Sequence, residues 1–237
     1  MYIVVVETVH GIEVRKSLEA LTRLERSVMT IARRDYGLYE PLRTYLLERF
    51  RRARQILSML PRRLRSIDAH GIEGYRIAFL SGEAVERGIE RSIAVKTLDG
   101  RVTTVATGTP IERAIYVVEV SRWRIKCSCM DAILLSTIAD SKLSRLLGYR
   151  GEPIFYRYTL CKHSIAALSL LLSDSKLSLR DRELRTTLRL CVTAAFLRVA
   201  DDSTVEKYRD TVSKVVEKAI QRLTGKESDS SSKTSAA

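Results

Sequence analysis

Three cysteines and one histidine have the residue types and the spacing of a zinc site. Cys127 and Cys129 are separated by one residue, and Cys161 and His163, which begin thirty-two residues after Cys129, are again separated by one. The chain has only four Cys and three His, and scattered structural thiols would rarely fall into two such pairs. Three thiolates and one neutral imidazole complete the tetrahedral shell of a closed structural Zn²⁺ site. We therefore predict one structural zinc ion, held by these four side chains.

The local geometry expected around each pair agrees with a shared metal. Side chains repeat every two residues along a strand, so Cys127 and Cys129 would face the same side of an extended segment. Positions i and i+2 of a regular helix point to nearly opposite sides, so Cys161 and His163 fit better where an extended segment enters a helix. We predict that helix over Ser164–Leu172. The positive end of its dipole would help to hold the thiolates ionised.

The pattern Cys-x-Cys, a variable gap, then Cys-x-His-x-x-Ala, with Ala166 in the last position, resembles the SWIM zinc finger. The resemblance covers residues 114–172, and the insert between the ligand pairs is longer than in many members. It implies a ββα core of two strands and a helix. SWIM domains are found in Mutator-type transposases, plant transcription factors, prokaryotic proteins that accompany chromatin-remodelling ATPases, and Shu-type recombination factors. The family binds DNA or protein partners and is not itself catalytic.

Other interpretations of the thiols remain open. The four residues could be reduced core side chains that are close in sequence by chance. A disulfide is disfavoured, because four Cys without a recognisable secretory leader indicate a reducing, cytoplasmic setting, and no apolar run reaches the length of a bilayer span. Cys191 has apolar neighbours and is expected to be a small buried hydrophobe. We assign no role to His10 or His70.

Sequence motifs of common enzymes are missing. The chain has no His-Glu-x-x-His, no Gly-x-x-x-x-Gly-Lys-Ser/Thr loop and no dinucleotide-binding glycine pattern. Four protein ligands would also leave a zinc ion no position for water or substrate. Asp131 and Glu152 lie near the ligands in sequence, but nothing indicates that they converge. We predict a protein that is not an enzyme and has no small-molecule substrate.

Positive charge suggests a polyanionic partner. The net charge is +13, and one stretch without acidic residues forms what we call the arginine cluster: Arg49, Arg51, Arg52, Arg54, Arg62, Arg63 and Arg65. Such a cluster would attract phosphates, although a solvated helix face with acidic partners elsewhere is the alternative.

A second possible surface, residues 149–158, interleaves aromatic residues with Arg150 and Arg157, which suits stacking on unpaired bases. The alternative is that these aromatic side chains pack beside the zinc.

Two functions follow, and neither is catalytic. The first is a zinc-stabilised nucleic-acid-binding or DNA-transaction accessory factor, with DNA favoured over RNA. The second is a protein–protein adaptor, for example to a recombinase paralogue or a remodelling ATPase. Salt separates the two, because phosphate binding weakens steeply as salt rises and an apolar interface need not. The absence of Asn predicts a thermophilic source.

The apolar periodicity predicts an α+β fold. Two N-terminal helices, Glu13–Arg34 and Leu42–Leu60, would form a hairpin, and an initial strand is expected at Met1–Val6. A small antiparallel sheet, with strands at Tyr75–Leu80 and Ala114–Val120 and a hairpin turning at Asp99-Gly100, would lead into the zinc ligands. The predicted parts are a basic helical region (1–70), the sheet with the zinc finger (71–180, core 114–172), C-terminal helices broken at Asp201-Asp202-Ser203 (181–224) and a disordered tail (225–237).

Overall fold

The computed structural model describes residues 13–71, 74–81, 94–96, 102–104 and 115–223, and it has the predicted α+β class. In chain order the elements are α1 (Val14–Tyr36), α2 (Glu40–Ser58), α3 (Leu60–Arg63), β1 (Leu64–Ala69), β2 (Gly74–Leu80), β3 (Ala94–Lys96), β4 (Val102–Thr104), β5 (Ile115–Ser121), β6 (Ile125–Cys127), α4 (Met130–Leu147), a 3₁₀ turn (Phe155–Arg157), α5 (Lys162–Ser173), α6 (Arg182–Val199), α7 (Asp202–Lys207) and α8 (Arg209–Leu223).

The first two helices form the predicted hairpin. Leu21, Leu24 and Val28 recur at three- and four-residue spacings along α1, and all three are fully buried. The connection between α1 and α2 is short because Gly37, directly after α1, adopts φ 63°. Glycine has no Cβ and so adopts a positive φ without steric strain. Pro41 lies in the first turn of α2, where its missing N–H has no helical partner to lose.

The sheet that reaches the ligands has four antiparallel strands in the order β1-β2-β5-β6. The predicted strands at Tyr75–Leu80 and Ala114–Val120 are confirmed as β2 and β5, which pair along their whole length. Strand β1 lies in a stretch for which the sequence indicated only helix. Strands β3 and β4 pair with each other, as the hairpin prediction required, and the Asp99-Gly100 turn lies outside the described residues. The prediction that this hairpin belongs to the sheet leading into the ligands is wrong for the described strands, because neither β3 nor β4 pairs with a strand of that sheet.

Helix α5 is the centre of the core. Every residue from His163 to Leu172 is buried, which is the pattern of a helix surrounded by protein on all sides. It contacts β5 and β6 on one side and α1 and α2 on another. Helix α5 therefore couples the sheet that carries the first ligand pair to the helical layer.

The C-terminal helices complete the helical layer around α1. Asp181 caps α6 and Asp201 caps α7, so the predicted break near Asp201 is confirmed, with a short helix following it. Tyr36 stacks on Phe196 with ring centroids 4.0 Å apart, and the Tyr208 hydroxyl donates to the Tyr36 carbonyl at 3.0 Å. These aromatic contacts join α6 and the α7–α8 junction to the end of α1.

Two further predictions fall on residues that the structure does not describe. These are the strand at Met1–Val6 and the disordered tail at 225–237. The division into four parts stays a prediction. Among the described helices, none is both long enough and apolar enough to span a membrane.

Candidate metal centre

The four predicted ligands come together as one buried cluster, which we call the metal-ligand cluster. The ligand atoms of Cys127, Cys129, Cys161 and His163 all lie within 4.8 Å of one another, and all four residues are buried. A tetrahedral zinc ion with Zn–S bonds of about 2.3 Å separates neighbouring sulfurs by about 3.8 Å. The cluster therefore has the dimensions of a single metal shell and could hold one metal ion.

The first ligand pair lies where strand β6 passes into helix α4. Cys127 pairs with Val118 at the end of β6, and Cys129 is the extended residue before α4, with φ −73° and ψ 150°. Ser128 between them is held by two hydrogen bonds to Val117, since its amide donates to the Val117 carbonyl and its hydroxyl accepts from the Val117 amide, each at 3.0 Å. The two thiols thus share one side of an extended segment, as predicted.

The second ligand pair lies at the start of helix α5. Cys161 is the extended N-cap residue, with φ −92° and ψ 171°, and His163 is in the first turn. The prediction that this pair marks the entry into a helix is confirmed, although the helix begins at Lys162, two residues before the expected start. Two helix N-termini, those of α4 and α5, therefore begin beside the cluster, and their positive ends favour ionised thiolates.

Hydrogen-bond donors also point at the sulfurs. The amide of Cys129 donates to Cys127 Sγ, and both the amide and the hydroxyl of Ser164 donate to Cys161 Sγ, each at 3.4 Å. Donors directed at sulfur stabilise negative charge on it. Such contacts are characteristic of the outer shell of a metal site, where they orient the ligands and tune their basicity.

His163 provides an independent indication that a metal belongs here. The residue is 1% exposed, and neither of its ring nitrogens has a hydrogen-bond partner. The imidazole lies against the Tyr116 ring with centroids 4.4 Å apart, which fixes its position without satisfying its polar atoms. An unsatisfied buried polar atom costs about 1–3 kcal/mol. Coordination of a metal by one nitrogen would remove one of these penalties, so the donor set fits zinc.

The thiols contact one another, and this contact sets their pKa values in the metal-free protein. Hydrogen bonds with Cys129 and Cys161, together with burial, raise the pKa of Cys127 well above its ordinary value. For Cys129, the hydrogen bond with Cys127 lowers the pKa, but the one with Cys161 and burial outweigh it and raise the pKa to about 12. Burial opposes ionisation of Cys161, yet hydrogen bonds from the other two thiols, together with the nearby His163 ring, bring its pKa well below the ordinary value.

A partly buried ion-pair group lies beside the cluster, and it was not predicted from the sequence. Arg49 donates to Asp131 at 2.7 Å, Arg198 lies 3.8 Å from the same carboxylate oxygen, and Asp131 is only two residues beyond Cys129. Burial lowers the pKa of Arg49, but Tyr45, Asp131 and the charge of Cys161 outweigh it and raise the value. Arg49 therefore offsets negative charge at the cluster. In the sequence it stood out only as one member of the arginine cluster.

Most of the arginine cluster is held by partners within the protein. Glu48 accepts from Arg51 at 2.7 Å and from Arg52 at 2.6 Å, and Arg54 lies 3.7 Å from Glu25. Arg63 is 8% exposed and donates through Nε to the Leu80 carbonyl. The structure thus places Arg49 and Arg63 in packing roles. Arg62 is exposed at the end of α3, and Arg65 is half-buried on β1.

The second predicted surface is divided between packing and exposure. Phe155 and Tyr158 are buried in the core, which agrees with the packing alternative. The carboxylate of Asp140 accepts from the Ile154 and Phe155 amides at 2.9 and 3.1 Å, and so fixes the chain before it returns to the second ligand pair. Arg157 donates to the hydroxyl of Tyr156, which is half-buried. Arg150 is exposed, and the structure does not bring it to Arg157 or to the arginine cluster in any described contact.

The fourth cysteine, Cys191, is not a ligand of the cluster. All four cysteines are described and unpaired, and Cys191 is fully buried, as expected for a small hydrophobe.

Comparison with family models, with curated proteins and with solved structures finds no match to this chain. The buried cluster is compatible with a zinc finger, and the assignment to the SWIM type rests on the sequence pattern.

Proposed function

We propose that the metal-ligand cluster binds one structural zinc ion and that the protein is a SWIM-type zinc-finger protein acting as a nucleic-acid-binding accessory factor. The observation that carries the zinc assignment is the convergence of three buried cysteines on a buried histidine whose ring nitrogens have no other partner. Zinc would be held by Cys127, Cys129, Cys161 and His163. When bound, it would supply folding free energy on the order of 10 kcal/mol.

We assign the metal a structural role, in which it holds elements of the fold together. The first ligand pair belongs to the end of the sheet and the start of α4, and the second to the start of α5. Helix α5 in turn packs against α1 and α2. A metal joined to both pairs would therefore fix the sheet, α4 and the helical layer relative to one another. Four protein ligands leave no position for a substrate, which supports a role without catalysis.

The proposed partner is nucleic acid, with DNA before RNA. The support is the net charge of +13 together with the resemblance to DNA-binding zinc fingers. Because Arg51, Arg52 and Arg54 are exposed but ion-paired, phosphate contact there would have to exchange with Glu48 and Glu25. Surface ion pairs of this kind contribute only about 0.2–1 kcal/mol to the free energy of unfolding, so exchanging them for contacts with phosphate would cost little.

A titration of zinc-loaded protein with labelled single- and double-stranded DNA tests this function. We expect binding that falls along a steep log–log dependence on salt, with a slope of about −0.9 per neutralised phosphate on duplex. Comparison of the two strand forms shows which one is preferred. Absence of binding at low salt would contradict nucleic acid as the partner and leave the zinc assignment intact.

A second candidate function is a protein adaptor, and one surface favours it. Met130, Ile133 and Leu134 lie at i, i+3 and i+4 on α4, directly after Cys129, and they are 66%, 47% and 45% exposed. Three large apolar side chains on one helix face are unusual on a surface that contacts only water. A complex through this face would persist at salt concentrations that dissociate phosphate contacts. Loss of such a salt-resistant complex in Ile133→Ser with Leu134→Ser would support the adaptor.

A further inference from the structure

An open cleft of about 560 Å³ lies between α1, α6 and α8, and neither the metal-ligand cluster nor the arginine cluster contributes to it. We call it the basic cleft, since its charged lining consists of Arg26, Arg34, Arg182, Arg185, Arg189 and Lys218. Three hydroxyl side chains, those of Ser27, Thr30 and Thr186, also line it. No acidic side chain does so in the part of the chain that the structure describes.

Four of these cations lack the internal partners that occupy the arginine cluster. Arg26, Arg182, Arg185 and Lys218 are exposed, and none forms an ion pair with another described residue. Arg182 and Arg185 lie one helical turn apart at the start of α6, and they line the same cleft as Arg26 on α1. Cations gathered in this way repel one another, and an anion in the cleft would relieve that repulsion.

The other two arginines are held in place by a buried carboxylate. Asp35, whose side chain is 4% exposed, accepts from Nε of Arg34 at 2.9 Å and from Nε of Arg189 at 2.6 Å. A guanidinium carries five N–H donors, so each arginine keeps donors that Asp35 does not use. Asp35 thus orders two guanidinium groups on adjacent helices while neutralising only one of their two charges. Ordered donors lose less entropy when an anion binds.

The dimensions of the cleft suit a chain of phosphates. With a rise of about 1.5 Å per residue, the basic row from Arg26 to Arg34 extends about 12 Å, and the row from Arg182 to Arg189 about 10 Å. The phosphates of one strand are spaced about 3.4 Å apart along the axis of a duplex, so rows of this length can contact more than one phosphate. A serine hydroxyl is a common donor to phosphate oxygens, and Ser27 lines the cleft. The hydroxyls of Thr30 and Thr186 donate instead to the carbonyls of Arg26 and Arg182 on their own helices.

We propose that the basic cleft binds the phosphate backbone of nucleic acid without reading its bases. The inference rests on the proposed function in naming nucleic acid as the partner, and it assigns the contact to α1, α6 and α8 in place of the arginine cluster. Among the described residues that line the cleft, none has an aromatic side chain on which bases could stack, so the contact is made to the backbone and is independent of base sequence.

Three triple variants that remove equal charge test the assignment on full-length, zinc-loaded protein. The cleft variant is Arg26→Ala with Arg182→Ala and Arg185→Ala, and the competing variant replaces Arg51, Arg52 and Arg54 by Ala. A surface control replaces Arg15, Lys16 and Arg43, whose exposed ion pairs contribute little to stability. Each is titrated against a fluorescent 20-nucleotide strand and its duplex at several salt concentrations.

The cleft variant should lose roughly tenfold or more in affinity at about 0.1 M salt, and its salt slope should fall by about 2 to 3. Its zinc content and thermal midpoint should match the surface control. A larger loss in the Arg51 variant than in the cleft variant would overturn the cleft and leave nucleic-acid binding in place. Absence of wild-type binding would instead refute the proposed function itself.

Three further measurements address the kind of anion. Replacing Arg26, Arg182 and Arg185 by Lys keeps the charge, so this variant should retain most of the affinity and the salt slope that the Ala variant loses. Affinity should also rise with strand length until the cleft is covered. If poly-glutamate of equal charge bound as tightly as the oligonucleotide and depended equally on the three arginines, the nucleic-acid assignment would be wrong.

Discussion

Cys161 and Ser164 cap each other at the start of helix α5. The Ser164 amide donates to Cys161 Sγ at 3.4 Å, and the Ser164 hydroxyl accepts from the Cys161 amide at 2.9 Å. A capping box normally employs an oxygen acceptor, whereas here the acceptor is the sulfur of a proposed zinc ligand. The same contacts that begin the helix therefore also orient a ligand, and the stability of α5 is coupled to the metal.

Ser164→Ala should weaken both the helix and the metal centre. Removal of the hydroxyl leaves the buried Cys161 amide without its acceptor, and we expect a loss of about 1–2 kcal/mol in the free energy of unfolding. Zinc affinity should fall about 10-fold or more, as is typical when an outer-shell contact is removed. Chelator competition and urea unfolding measure the two effects.

Ser169→Ala is the matched control for that experiment. Ser169 is buried on the same helix, and its hydroxyl donates only to the Ile165 carbonyl, at 2.8 Å. Zinc affinity should be unchanged in this variant. Equal zinc affinity in the Ser164 and Ser169 variants would show that the capping contact does not act on the metal centre.

Replacement of a ligand should remove zinc and unfold the region that the metal connects. We expect Cys127→Ser and His163→Ala to lose the metal, with a loss of near-ultraviolet circular dichroism from the aromatic residues around α5. Cys191→Ala is the control, because Cys191 is equally buried but is not a ligand. It should keep one zinc and cost roughly 1 kcal/mol. Near-stoichiometric zinc in both ligand variants would refute the assignment.

Zinc affinity should rise steeply with pH. The raised pKa values of Cys127 and Cys129 mean that both thiols are protonated near neutrality in the metal-free protein. Zinc binds thiolates, so its binding must release those two protons. Between about pH 6 and 8 the logarithm of the association constant should therefore increase by about 2 per pH unit. An affinity independent of pH would contradict the protonation states described here.

Asp131→Asn should destabilise the protein beside the metal centre. The change leaves Arg49, whose side chain is 12% exposed, without its ionised partner. We expect a loss of about 2–3 kcal/mol, somewhat below that of a fully buried pair because Asp131 is 24% exposed. Glu206→Gln, which breaks the exposed pair with Arg209, should cost no more than about 0.5 kcal/mol. Equal effects in urea unfolding would show that the Asp131 group is only a surface ion pair.

Local patterns made the metal-ligand cluster and the main helices predictable. The one-residue gap between Cys127 and Cys129 places both thiols on one side of an extended segment, and the apolar spacing of α1 reflects the burial of one of its faces. Strand β1 was not predicted, since Leu64–Ala69 follows a run of arginines and is stabilised by pairing with β2. A strand of this kind depends on its neighbour more than on its own residues.

Charge proved harder to interpret, because ion pairs form between residues that are distant in sequence. Asp131 lies 82 residues after Arg49, so its pairing with a member of the arginine cluster could not be inferred. The basic cleft could not be predicted either, because its cations are also distant in sequence. Arg26, Arg182 and Lys218 belong to three separate helices, and only the packing of α1, α6 and α8 brings them together.

X-ray absorption of the natively purified protein, combined with its metal content, tests the central claim most directly. We predict one zinc ion per chain, with three sulfur ligands at about 2.3 Å and one nitrogen ligand at about 2.0 Å. This result would establish the shell formed by Cys127, Cys129, Cys161 and His163. A protein without metal, or a zinc shell containing oxygen or fewer than three sulfurs, would contradict it.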